Sequence, residues 1–151
     1  MNAILRTLTA AGALWLVLNC AGCGYVASGT WEDDAENWSR VFGFEQPPGV
    51  VLVHSKYWRA PHWTYEAGWF LQIAPNADFE RRLFELNELV ELQGAEAAAA
   101  LSNTVGTEPA WFTPLSDEQY SVWIYATEPK GNFMVAIERE TRTLFLSDGQ
   151  K

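Results

Sequence analysis

The sequence predicts an α+β fold: a roughly five-stranded antiparallel sheet with one main helix packed on one face and one or two short helices. Three observations predict it. Val50–Ile73 (VVLVHSKYWRAPHWTYEAGWFLQI) is the densest run of β-branched and aromatic residues, broken by Arg59-Ala60-Pro61-His62 where a hairpin would turn. Residues 78–92 (DFERRLFELNELVEL) repeat apolar side chains at helical spacing. Three further apolar runs, Tyr120–Thr127, Asn132–Glu138 and Thr143–Ser147, follow with turn residues between them. A chain of 151 residues suits one domain. With 48% hydrophobic and 19% charged residues it is too apolar for a disordered protein.

The chain opens with MNAILRTLTAAGALWLVLNCAGC. Arg6 and the free amine form a short basic region, and an apolar stretch runs from Leu8 to Leu18. It is too short for an ordinary spanning helix and has the layout of an export signal. Ala21-Gly22-Cys23 resembles the lipobox of bacterial lipoproteins, where small residues precede the cysteine that is lipidated. The departure is Cys20, three positions before Cys23, where the family has Leu or another aliphatic residue. A cut before Cys20 would leave Asn19 in place of a small residue, which favours Cys23. The resemblance covers the first 23 residues alone. It implies residues 1–22 as signal peptide, 23–31 as lipidated cysteine and short tether, and 32–151 as a single α+β domain.

The resemblance further implies two or three acyl chains, such as palmitate, on Cys23. One chain alone is a marginal anchor, at roughly 0.8 kcal/mol per buried methylene. Cys23 would then be the only cysteine left, so the domain would fold without a disulfide. Gly24, rather than Asp, follows the cysteine. That implies the periplasmic side of the outer membrane if the cell has two membranes.

Beyond the tether, Glu32-Asp33-Asp34 reads as the cap of a short helix over Ala35–Val41, on a solvated surface rather than as a cation site. Trp38, Val41 and Phe42 give that helix one apolar face, Gly43 ends it, and Glu45–Gly49 is a turn. Strands follow at Val50–Trp58 and Trp63–Ile73. If Arg59 opposes His62, then Trp58 opposes Trp63 and His54 opposes Ala67. His54, Lys56, Trp58, Trp63, Tyr65 and Trp69 would share a face. Asp78 is the expected cap of the main helix, whose stripe is Phe79, Leu83, Leu86, Leu89 and Val90, and Gly94 its end. Ala95–Leu101 has high helix propensity and little to bury. In the loop that follows, Pro109-Ala110-Trp111-Phe112-Thr113-Pro114 is read as a plug at the core edge, with a presented binding tip as the alternative.

Charge and motifs exclude several function classes. A net charge of -9 with scattered basic residues argues against a nucleic-acid partner. There is no glycine-bracketed nucleophile, phosphate-cradling glycine loop or H-E-x-x-H motif. Ser55 and His54 are neighbours on alternate strand faces, so they do not converge as a triad requires. A metal-dependent hydrolase around His54, His62 and Glu66 is the enzymatic alternative. On a strand, however, His62 and Glu66 lie about 13 Å apart, too far for one ion. The expectation is therefore no enzyme, no cofactor and no metal. The expected role is non-catalytic binding or structure in the cell envelope, attached to the membrane at Cys23 and facing an envelope protein or glycan. Trp58, Trp63, Trp111 and Phe112 are the candidate stacking residues for a glycan or peptide.

Overall fold

The computed structural model describes residues 28–61, 66–104, 106–114, 118–126 and 132–150. In chain order the elements are β1 (Gly29–Glu32), α1 (Asn37–Phe42), β2 (Leu52–Arg59), β3 (Ala67–Ile73), α2 (Ala77–Leu86), β4 (Leu89–Leu92), α3 (Gly94–Ser102), β5 (Tyr120–Tyr125), β6 (Met134–Glu138) and β7 (Leu144–Gln150). All pairings are antiparallel, and the order across the sheet is β1-β2-β3-β7-β6-β5-β4. Two meanders, β1–β3 and β4–β7, meet where β7 lies beside β3.

The expectation of a five-stranded α+β sheet is corrected to seven strands. Both additional strands are four-residue edge strands. Gly29–Trp31, expected in the tether, belong to β1, whose Trp31 pairs with Tyr57. Leu89–Leu92, expected to continue the main helix, form β4 against β5. That helix stops at Leu86, which is 82% exposed. Asn87 breaks it with an extended backbone; its amide donates to the Leu83 carbonyl and accepts from the Tyr125 hydroxyl. Asn76, not Asp78, caps its start, accepting from the Phe79 N–H at 2.9 Å. Gly94, with φ +56, opens α3 instead of ending the long helix.

The central strands are covered on both faces, so their side chains alternate between two cores. On one face Leu71, Ile73, Val135, Ile137, Leu144 and Leu146 pack under α1 and α2, through Trp38 and Leu83. The helix face Trp38, Val41 and Phe42 is the one its spacing predicts. On the other face Phe70, Val122, Met134, Ala136 and Phe145 pack under α3, through Ala97 and Leu101. The alanine run therefore has a burial role: small residues let α3 sit close to the sheet.

The β2–β3 register also differs from expectation. Arg59 pairs with Ala67, and Ala60 N–H donates to the Glu66 carbonyl, so Arg59 does not oppose His62. His54 faces Gln72 rather than Ala67, and Trp69 pairs with Tyr57. Trp69 is thus on the opposite face from His54, Lys56 and Trp58. The single-residue register shift between Leu52 and His54 leaves Val53 as a bulge. Among the described residues, no helix is long and apolar enough to cross a membrane.

Candidate functional site

The segment after α3 lies along β2 on the second face and determines where most of the expected site residues go. Trp58 faces Gly68 across the β2–β3 ladder. A Cβ on Gly68 would fall 2.5 Å from the Trp58 indole nitrogen, and one on Gly106 would fall 2.7 Å from it. The indole is therefore clamped between two glycines, and its N–H is buried without a partner. One turn of the ladder further, Lys56 Nζ donates to the Thr107 carbonyl at 3.1 Å and pairs with Glu32 at 3.4 Å. Next, the His54 ring stacks on Trp111, with centroids 5.4 Å apart and planes 21° apart. Phe112 is buried, edge-on to Phe70 at 4.9 Å and to Phe145 at 5.7 Å. It is the plug of the second core, while Trp111 stays half-buried at its rim. Trp63 and His62 lie outside the described residues.

His54 has a second neighbour that sequence spacing does not reveal. Asp33 ends β1 in the left-handed region, at φ 49. Its N–H donates to the Ser55 carbonyl, and its carboxylate accepts the Ser55 N–H at 2.8 Å. The same carboxylate lies 3.2 Å from His54 Nδ1. Together with Asp34, Gln46, Val51 and Val53, this pair lines a cleft of about 290 Å³. Val51 and Val53 are 55% and 44% exposed. The Glu36 N–H, then Arg40 at 3.1 Å, hold the Asp34 carboxyl below the usual carboxylate range. The cleft thus presents a carboxylate-oriented imidazole beside two apolar side chains.

That arrangement does not assemble a nucleophile. The Ser55 hydroxyl is on the other face of the sheet, buried, and accepts from the Asn37 amide at 3.0 Å. Glu66 opposes Ala60, six residues along β2 from His54. At about 3.3 Å per residue that is roughly 20 Å, so His54 and Glu66 cannot share a metal ion. Among the described residues, no group of three His, Cys, Asp or Glu side chains converges on a metal position.

The first face carries a feature with no counterpart in the sequence reading. Trp31, Tyr57, Trp69 and Asp148 occupy one cross-strand row. Trp69 and Phe133 approach to 6.0 Å, and Phe133 and Tyr125 to 5.1 Å. Trp69 and Phe133 belong to opposite sides of β7, so their rings lean over Asp148. Burial there raises the Asp148 carboxyl, and the Gly149 N–H, at 2.7 Å, offsets only part of that. Burial, then the nearby Asp148 charge, raises the Tyr125 hydroxyl as well.

The sequence signal that could have located Asp33 is weak, because Asp33 and His54 meet only through the β1–β2 pairing. Asp148 lies in a C-terminal segment whose apolar alternation ends at Ser147, so its depth is not readable locally. Comparison with protein-family models, with curated proteins and with solved structures finds no match for this chain.

Proposed function

We propose that this protein is an exported, lipid-anchored protein of the bacterial cell envelope, with a non-catalytic binding role for its folded domain. The observation that carries the anchor is the sequence Ala21-Gly22-Cys23, placed directly after an apolar stretch that follows Arg6. The binding role is supported by the geometry around His54. The imidazole is held by Asp33 and Trp111, while the Ser55 hydroxyl lies on the other face of the sheet and Glu66 stands opposite Ala60, six residues along from His54. A glycan- or peptide-stacking role for Trp58 and Phe112 is disfavoured, since one is clamped between glycines and the other fills a core. Attachment in this reading runs through Cys23, on the periplasmic side of the outer membrane in a cell with two membranes.

The test is metabolic labelling with an alkyne analogue of palmitate. The wild-type chain is expected to take the label, Cys20→Ala to keep it and Cys23→Ala to lose it. An unlabelled wild-type chain overturns the anchor, and a label lost in Cys20→Ala but kept in Cys23→Ala moves it to Cys20.

A further inference from the structure

The acidic charge of this chain is unevenly distributed. From Leu83 to Pro129 there are eight Asp and Glu residues and no Lys or Arg. Within that stretch Glu91 lies in β4, the outermost strand, Glu88 directly precedes it and Glu96 lies in the first turn of α3, whereas Glu85 pairs with Arg81 at 2.9 Å. β4 is also an open strand edge. Glu88 C=O accepts from Ala126 N–H at 2.8 Å, which sets the parity of the ladder. Val90 and Leu92 then continue the bonding to β5, and the N–H and C=O groups of Leu89 and Glu91 point outward. Among the described residues, no strand pairs with them. Beside this edge stand two apolar side chains in solvent, Leu86 at 82% exposure and Val90 at 43%. Among the described residues, no basic side chain forms an ion pair with Glu88 or Glu91.

We propose that β4 is the docking edge for an extended, basic segment of a partner protein, which adds to the sheet as an eighth strand. The edge amides supply the backbone hydrogen bonds, as in other strand additions. Glu91 on one face selects Lys or Arg across from it, and Val90 on the other face selects an apolar residue one position along. A partner alternating basic and apolar residues satisfies both. Pairing with a second copy of this chain is opposed by its own charge: with Val90 opposite Val90 in an antiparallel pair, the two Glu91 carboxylates fall on diagonal positions of one face, like charge beside like charge. This inference deepens the binding role proposed above and rests on it, but not on the lipid anchor.

The experiment uses the full chain in non-ionic detergent and two eight-residue peptides, one alternating Lys and Val, the other Glu and Val. Fluorescence anisotropy is expected to show binding of the basic peptide alone, weakening as salt rises from 50 to 200 mM. Amide exchange at Leu89 and Glu91, fast in the free protein, is expected to slow in the complex. The double variant Glu88→Lys, Glu91→Lys is expected to bind the basic peptide roughly tenfold more weakly and to gain the acidic one. Basic-peptide binding that leaves both amides unprotected is adsorption to a charged surface and overturns the proposal. So does a charge-reversed variant with unchanged preference. Should that variant not fold, the exchange result on the wild-type chain decides alone. Peptide binding with no label at Cys23 removes the anchor and leaves this edge; a labelled chain that ignores both peptides removes the edge and leaves the anchor.

Discussion

The clamp on Trp58 makes a quantitative prediction for Gly68→Ala. The new Cβ would sit 2.5 Å from the indole nitrogen and 2.9 Å from Cε2. Ordinary contact begins near 3.5 Å, so the ring must retreat by about 1 Å. It has no room to do so, because the Gly106 backbone closes the other side and would place a Cβ only 2.7 Å from the same nitrogen. Forced overpacking of this kind costs typically 1–3 kcal/mol. Replacing glycine in a strand returns roughly 0.5–1 kcal/mol of chain entropy. The net loss should be about 1–2 kcal/mol, or roughly 5 °C in Tm for a domain of this size. The assay is urea unfolding of four chains: wild type, Gly68→Ala, Trp58→Leu and the double variant. Trp58→Leu removes every indole atom that the new Cβ would meet. In that background Gly68→Ala should cost nothing or stabilise slightly, a coupling of about 1–2 kcal/mol within the range expected for residues in contact. An equal cost in both backgrounds would refute the clamp and reopen Trp58 as a surface residue.

Three other substitutions probe the opposite faces of the sheet. Phe112→Ala should cost about 3–5 kcal/mol in urea unfolding, because the ring is enclosed by Phe70 and Phe145. Trp111→Ala should cost clearly less, since the ring stands at the rim; equal losses would contradict the plug assignment. At Asp148, burial raises the folded-state pKa above the unfolded value. The folded protein therefore holds this proton to higher pH than the unfolded chain does. Stability from this group is greatest below the unfolded pKa, falls as pH rises through the raised folded value, and stays low above it. Asp148→Asn should be more stable than wild type at pH 7, with the difference shrinking towards pH 3; a pH-independent difference would refute this.

Much of the strand content was legible because the core-forming residues are locally patterned. Leu144, Phe145 and Leu146 alternate between two buried faces, and Trp38, Val41 and Phe42 recur at helical spacing. The run Leu89–Leu92 reads as helix in the sequence, and is strand in the structure, for an equally local reason. Its Leu and Val residues continue the apolar stripe of Phe79 and Leu83, so four residues at the end of a helix look the same as four residues of strand. What separates them is Asn87, which bonds back to the helix and across to Tyr125, and the hydrogen bonds that β5 offers. β1 is not legible because a four-residue edge strand is too short to show a period.

The candidate cleft was half legible. His54 stood out by composition, but its partners Asp33 and Trp111 lie 21 residues before it and 57 residues after it. Their meeting depends on the β1–β2 register and on the path of the segment that crosses β2. Trp58 and Phe112 were visible as aromatics, yet the sequence held no sign of the glycines and phenylalanines that enclose them. By itself the sequence determined the acidic charge and the helices and strands long enough to show a period, and it alone carries the proposal of an export signal ending at Cys23, because each is a property of neighbouring residues. Only the tertiary structure decided the two edge strands, the burial of both sheet faces, the Asp33–His54 pair and the open acidic edge at β4. These depend on hydrogen bonds and contacts between residues distant in the chain, which no local pattern encodes.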